Sequence, residues 1–229
     1  MKVSYRFLII VVLFVTCLLT ANIIGSKAIT FGFATLPAAV VLFPFSYIFG
    51  DILTEVYGYH QARRVIWLGF LCNLIFVIFA WIGQKLPPAP AWENQQAYET
   101  ILGYTPRLLA ASFFGYLAGE FGNSFVLARM KILTKGKWLW ARTISSTIVG
   151  QGLDTVIFII GAFWGASFFT PMMILYHWAA KVAIEIVATP FTYLAVNSLK
   201  RSEGVDTYDT NTNFNPFVFL GKERKSAGQ

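Results

Sequence analysis

The chain has 229 residues, of which 56% are hydrophobic, 17% aromatic and only 13% charged, with a formal charge of +7. Soluble domains carry about 25% charged residues, so this balance excludes a water-soluble globule, a disordered chain and a disulfide scaffold. The basic excess would suit nucleic acid, but it sits between apolar runs and reads as a membrane topology signal.

Six apolar runs follow one another, near residues 7–25, 36–57, 65–84, 107–129, 142–166 and 170–198. Each is near or above the ~20 residues that a helix needs to cross about 30 Å of hydrocarbon. Helices are expected because lipid offers no partner to a free backbone N–H or C=O. Stretches such as Phe7–Leu19 and Val65–Ile82 do not alternate in polarity as the strands of a membrane barrel would. The expected fold class is an all-α integral membrane protein with six transmembrane helices, a domain over residues 1–198 followed by a polar tail over 199–229. The first run has a basic start, but no small-residue cleavage site follows it closely, so it reads as an uncleaved span. Cys17 and Cys72 lie inside apolar runs and read as small buried side chains, not as a bridge or a metal site.

Lys and Arg fall mainly on one side: Lys2 and Arg6, Arg63 and Arg64, Arg129, Lys131, Lys135, Lys137 and Arg142, then Lys200, Arg201, Lys222, Arg224 and Lys225. The other side holds Lys27, Lys85 and Arg107. Basic loops mark the cytoplasm, so both termini are expected there, in the inner membrane. The longest outer loop, 85–106, contains Pro87, Pro88, Pro90, Trp92 and Tyr98, a composition that allows a short interfacial segment or a lid. The last residues of the tail are expected to be mobile.

The informative residues are the ionisable ones inside the runs. A charge at bilayer depth costs at least a few kcal/mol and normally faces a partner or a wet cavity. Asp51 and Glu55 lie in the second run, Glu120 in the fourth, Asp154 in the fifth, and His177, Lys181 and Glu185 in the sixth. At about 1.5 Å per residue, Asp51 and Glu185 lie roughly 22 Å, Glu120 roughly 20 Å and Lys181 roughly 16 Å from the outer ends, and Asp154 roughly 18 Å from the inner end of its run. Four helices thus carry charges at comparable depth, which points to one central polar site. His177, Lys181 and Glu185 are spaced four apart and form a stripe. Thr143, Thr147, Gly150, Gln151 and Asp154 share a face of the fifth run, and Gly115 and Gly119 are spaced for close helix approach. Asn22, Asn73 and Asn123 add neutral hydrogen-bonding groups.

Each has a plainer reading. Glu55 lies near the inner end and would suit Arg63 or Arg64 as partner. His177 reads equally as a core or interfacial histidine, Lys181 and Glu185 as a pair within one helix, and Asn22 and Asn73 as a bridge between helices. Aromatic side chains such as Phe43, Phe45, Tyr47, Phe49, Tyr116 and Trp178 could stack on a flat ring or simply pack. For Asp51, Glu120 and Asp154 the structural reading is weaker, because one lysine does not neutralise this many carboxylates. Such a pocket suits a substrate rich in N–H donors.

Phe43-Pro44-Phe45 with Gly50-Asp51-Ile52-Leu53-Thr54-Glu55-Val56-Tyr57-Gly58 resembles the queuosine precursor transporter family (the YhhQ or VUT family). So do Arg142-Thr143-Ile144-Ser145-Ser146-Thr147 with Gly150-Gln151 and Asp154-Thr155, Lys181 with Glu185 and Thr189-Pro190, and the tail Asp206-Thr207-Tyr208-Asp209 with Asn213-Phe214-Asn215-Pro216-Phe217. The resemblance implies an inner-membrane importer of 7-deazaguanine compounds: 7-cyano-7-deazaguanine, its 7-aminomethyl relative and, in some members, queuine. From depth, charge and spacing, the candidate substrate-binding residues are Asp51, Glu120, Gln151, Asp154, Lys181 and Glu185, with Glu55, Asn22, Asn73, Asn123, His177, Phe45 and Tyr116 as additional candidates. Asp51, Asp154 and Lys181 match the family pattern more broadly than Glu55 and Glu185. The implied partners are a small-molecule base and the bilayer, with no nucleic acid and no cofactor. A homodimer is expected, although the sequence does not determine the oligomer.

No GxxxxGK[ST] motif is present, which leaves a secondary carrier with alternating access or a substrate-binding subunit that borrows energy from an ATPase. An intramembrane enzyme is the remaining class; it is disfavoured by the two histidines, His60 and His177, and the lack of an HExxH pair.

Overall fold

The computed structural model describes residues 4–31, 34–103, 106–167 and 169–218. The basic residues Lys2, Lys222, Arg224 and Lys225, and the tail end expected to be mobile, lie outside these. Helix α1, Tyr5–Ile24, starts where the Ser4 hydroxyl accepts the Phe7 N–H at 3.0 Å. An antiparallel pair of strands, β1 (Ala28–Phe31) and β2 (Ala34–Pro37), follows, with Ala28 opposite Pro37. A 3-10 turn at Ala38–Leu42 leads into α2, Phe43–Glu55, whose first turn accommodates Pro44. Then come α3 (Tyr59–Lys85), α4 (Gln95–Leu102), α5 (Pro106–Leu133), α6 (Leu139–Phe163) and α7 (Pro171–Glu203). Helix α7 ends at Gly204, whose φ of 64° gives the left-handed cap that glycine adopts without strain.

Some boundaries differ from the sequence reading. The second run is helical only from residue 38, because residues 34–37 pair with β1. Helix α3 begins at Tyr59, so Arg63 and Arg64 stand in its first turns and not in a loop. Helix α7 runs to Glu203 and takes in Lys200 and Arg201. The loop between α3 and α5 contains α4, where Gln95 Nε2 donates to the Gln84 carbonyl at 3.4 Å.

Five helical stretches are long and apolar enough to cross a membrane by length and composition: Tyr5–Ile24, Ala38–Glu55, Tyr59–Lys85, Leu139–Phe163 and Pro171–Glu203. Helix α5, at 28 residues, is longer than four of them but is not in that set. Gly115, Gly119, Gly122, Glu120 and Asn123 dilute its apolar content. It packs on α6 through the most extensive helix pairing of the bundle.

Many large apolar side chains are exposed, and buried polar side chains stand beside an apolar core that includes Val56, Leu127 and Val196. Glu55, Glu185 and Thr192 are 0% exposed, while Val187 and Leu194 are 71% exposed. Apolar side chains facing lipid and polar ones facing each other are what a hydrocarbon solvent selects. This is a multi-pass membrane protein. The first and last helices meet: the Ser4 hydroxyl at the start of α1 donates to Glu203 at the end of α7, at 2.7 Å.

Candidate functional site

The α5–α6 contact is close because it is built from small residues. A Cβ on Gly150 would lie 2.7 Å from both the Gly119 carbonyl oxygen and the Asn123 Cβ. A Cβ on Gly115 would lie 2.9 Å from Asp154 Oδ1, so that glycine makes room for the Asp154 carboxylate. The sequence reading of close approach at Gly115 and Gly119 is realised here, and it positions Asp154 beside Glu120.

Asp154 on α6 is ion-paired to Lys181 on α7, and both are half-buried. Lys181 Nζ also lies 5.6 Å from the Phe43 ring centroid, and Phe43 stacks on Tyr47 at 6.0 Å. Half-buried Glu120 on α5 is within electrostatic reach of Asp154, Asp51 and Lys181. The Tyr47 hydroxyl is within reach of Asp154, Glu185 and Glu120. Asp51 on α2 is 1% exposed and accepts from Asn123 Nδ2 at 3.2 Å. Side chains from α2, α5, α6 and α7 thus converge. Several of their buried polar atoms have no hydrogen-bond partner among the described residues: Asp51 Oδ2, Asn123 Oδ1, Tyr47 Oη and both Glu185 oxygens.

Other candidates stand elsewhere. Phe45 is 53% exposed on the outer surface of α2, a helical step away from the Phe43–Tyr47 face, so it does not line the cluster. Asn22 Nδ2 donates to Asn73 Oδ1 at 2.6 Å, which ties α1 to α3. Tyr116 donates its hydroxyl to the Ile66 carbonyl at 3.0 Å, yet remains within reach of Glu120. Gln151 is 8% exposed on α6, and His177 is half-buried one turn before Lys181. A groove of about 550 Å³ between α6 and α7 is lined by Ile148, Leu153, Val156, Leu175, Trp178 and similar residues, and none of the charged candidates lines it.

Glu55 belongs to a second centre, at the end of the bundle where the start of α1 meets the end of α7. It is not paired with Arg63 or Arg64. Its carboxylate accepts from Arg142 Nη2 at 2.7 Å and Nε at 3.3 Å, and from Lys200 Nζ at 2.7 Å, while Lys131 Nζ lies 3.6 Å away. Asp206 from the tail bridges Lys131 at 2.5 Å and Lys200 at 2.9 Å. Arg63 instead donates to the carbonyls of Asn213 and Asn215, both at 2.9 Å. Burial of a carboxylate this completely is tolerated only when cations and donors surround it.

The family model described as "Putative vitamin uptake transporter" matches residues 37–195, most of the helical bundle; Lys200 and Asp206 of the Glu55 centre lie beyond it. The chain belongs to this family. It is a family of transporters and not of enzymes. The chain is 31% identical over 160 residues to the Bacillus subtilis (strain 168) protein named "Probable queuosine precursor transporter", covering 67% of this chain and 68% of that one. It is 26% identical over 122 residues to the "Queuosine precursor transporter" of Escherichia coli (strain K12), covering 53% of this chain and 52% of that one. A Haemophilus influenzae relative named "Probable queuosine precursor transporter" is 26% identical over 137 residues, 60% of this chain and 54% of its own. The aligned parts span about half the length of these last two. No solved structure matches the chain.

Within this transporter family member, sequence reasoning gave Tyr47 and Phe43 too little weight. A signal existed: Phe43, Tyr47, Asp51 and Glu55 are each four apart and form one face of α2. Lys131 and Lys200 read along the chain only as topology markers, and Arg142 as that and as part of the family motif, because their partner Glu55 is distant in sequence from all three.

Proposed function

We propose that this protein imports queuosine precursors, 7-deazaguanine bases, and that the base binds at the cluster formed by Asp154, Lys181, Glu120 and Asp51. The observation that carries the reading is the Asp154–Lys181 pair, set between two helices of a transporter-family bundle with a second carboxylate, Glu120, within reach. A guanine-like edge presents N1–H and an exocyclic amine, donors that a carboxylate accepts as a pair. The lactam oxygen of the base needs a donor, and an ammonium supplies one. The acceptor atoms left without partners at Asp51 and Asn123 suit the same donor-rich ligand. A paired acid and base exchange their mutual bond for bonds to the substrate, so a closed, empty cluster and an occupied one are both satisfied. The names of the B. subtilis and E. coli relatives support this substrate class.

In this reading the protein lies in the inner membrane with both termini cytoplasmic, supported by the basic residues gathered at the Glu55 end. Transport proceeds by alternating access, with the centre around Glu55 as the inner closure. The test is uptake by purified protein in liposomes, comparing 7-cyano-7-deazaguanine, the aminomethyl compound and queuine with guanine. Saturable uptake of at least one deazaguanine, in preference to guanine, is expected. Uptake of none of them sinks the reading.

A further inference from the structure

The unpartnered polar atoms beside the Asp154–Lys181 pair share one character. Both oxygens of Glu185, Oδ2 of Asp51 and Oδ1 of Asn123 are acceptors, and the Tyr47 hydroxyl joins them. All four side chains are buried: Glu185 is 0%, Asp51 1%, Asn123 8% and Tyr47 9% exposed. They come from α2, α5 and α7. Asn123 Nδ2 donates to Asp51 Oδ1 at 3.2 Å, which leaves the amide oxygen as the atom without a donor. Asp51 acts on Glu185 as a like charge, and the Tyr47 hydroxyl is within electrostatic reach of Glu185.

The cations of the bundle are engaged elsewhere. Lys181 is taken by Asp154, and Arg142 and Lys200 by Glu55; Arg142 acts on Asp51 only through space. Buried acceptors without donors are costly, and a group carrying several N–H donors and a positive charge satisfies them. Among the described residues no group of three or more His, Cys, Asp and Glu is placed to hold a metal ion, which favours an organic cation.

We infer that Asp51, Asn123, Glu185 and Tyr47 form a subsite for a primary ammonium on the 7-substituent of the base, so that the protein selects the 7-aminomethyl compound over the 7-cyano one. This rests on the substrate reading above and adds to it the group that discriminates among those bases. Tyr47 joins the two parts of the site, since its hydroxyl is within reach of Asp154 and Glu120 as well as Glu185. In a 7-deazaguanine the lactam oxygen and the 7-substituent project from the same side of the ring system. A base whose oxygen takes Lys181 therefore turns its substituent toward α7, where Glu185 stands one turn further on. An ammonium there offers three donors to the waiting acceptors. A nitrile is itself an acceptor and sets a lone pair against them. Helix α7 has a place to bend and admit the group: Pro190 brings no N–H to the Ile186 carbonyl, the residue next to Glu185.

The test is equilibrium binding of 7-aminomethyl-, 7-cyano- and 7-methyl-7-deazaguanine to the purified full chain at neutral pH. The wild type is expected to bind the aminomethyl compound about tenfold or more tightly than either neutral one, as a charged hydrogen bond allows. Glu185→Gln should bring that ratio near one, and Tyr47→Phe, which removes only a hydroxyl, should lower it in part. A ratio of two ligands on one sample is independent of the fraction of active protein. A wild type without the preference, or a ratio that Glu185→Gln leaves unchanged, overturns the subsite. If Glu185→Gln binds neither class of ligand, an unchanged ratio in Tyr47→Phe overturns it. Thermal stabilisation by sodium that Glu185→Gln removes, in place of an amine preference, assigns these oxygens to an inorganic cation and overturns it too. Binding of all three bases without preference leaves the substrate reading standing, whereas binding of none ends that reading and this inference with it.

Discussion

Asp51 and Glu55 stand one helical turn apart on α2, both buried, yet Glu55 is held by Arg142 and Lys200 while Asp51 receives one amide hydrogen bond from Asn123. One turn of a single helix therefore separates a neutralised end-closure from a polar centre with unsatisfied oxygens. The first is a set of satisfied ion pairs; the second is the cluster proposed above to receive the base.

Breaking the closure is expected to be costly. Arg142→Ala leaves Glu55 with two lysines and no guanidinium, and it removes the bonds from Arg142 to Thr134 and the Lys137 carbonyl. Removing one partner of a buried pair costs about 3–5 kcal/mol. Thermal unfolding in detergent should show it, with Arg64→Ala, an exposed arginine, unchanged. Equal stability of the two variants would show that Glu55 does not depend on Arg142.

The Asp154–Lys181 pair is the sharpest test of the substrate site. Asp154→Asn and Lys181→Ala should each lower uptake about tenfold or more at normal membrane levels, since a charged hydrogen bond contributes about 1.5–3 kcal/mol. Unchanged uptake in both removes these residues from the site.

Helix approach sets the position of Asp154. Gly150→Ala forces a Cβ to 2.7 Å from the Gly119 carbonyl oxygen, whereas the nearest atom to a Cβ on Gly152 is 3.5 Å away, in ordinary contact. Overpacking of this kind costs about 1–3 kcal/mol. Gly150→Ala should lower the unfolding temperature and Gly152→Ala should not. Two indistinguishable curves would mean that the α5–α6 contact yields freely.

The tail is a strap. Asp209 Oδ2 accepts the Tyr59 N–H at 2.9 Å, capping α3 from a distant part of the chain, next to Gly58 with its φ of 85°. Tyr59 donates its hydroxyl to the Phe214 carbonyl at 2.8 Å and Trp67 its indole N–H to the Pro216 carbonyl at 2.9 Å. Asp209→Ala should cost about 1 kcal/mol, as lost caps do. It should also speed proteolytic cleavage within residues 204–218 in the folded protein. Cleavage at the wild-type rate would mean that the strap is held without the cap.

Strap attachment at Asp206 should depend on pH in one direction. Burial pushes its carboxyl up, but hydrogen bonds and charges from Lys131 and Lys200 outweigh this and hold it below the ordinary 3.8. A depressed folded-state value means that the contribution is complete above the ordinary value and is lost as pH falls through the lower one. Pepsin cleavage of the tail should therefore accelerate only below about pH 4. Asp206→Asn should already show the accelerated rate above that pH. A strap equally resistant in Asp206→Asn would remove this contact from the attachment.

Much of the helical architecture could be read along the chain because lipid leaves a segment few options: apolar runs become helices, and a charge within one needs a reason. The four-residue spacings on α2 and α7 follow from the helix repeat, so Asp51 with Glu55, and Lys181 with Glu185, were legible as shared faces before any packing was known. What only the tertiary structure decided was partnership. Arg142, Lys131 and Lys200 meet Glu55 across separations of 76 to 145 residues, Arg63 turns to the tail, and Phe45 faces outward while Phe43 sits beside Lys181. Spacing along a helix is set by its own local hydrogen bonds. Which faces meet is set by close approach at residues such as Gly119 and Gly150, a sum of many weak contacts that no single stretch of sequence contains.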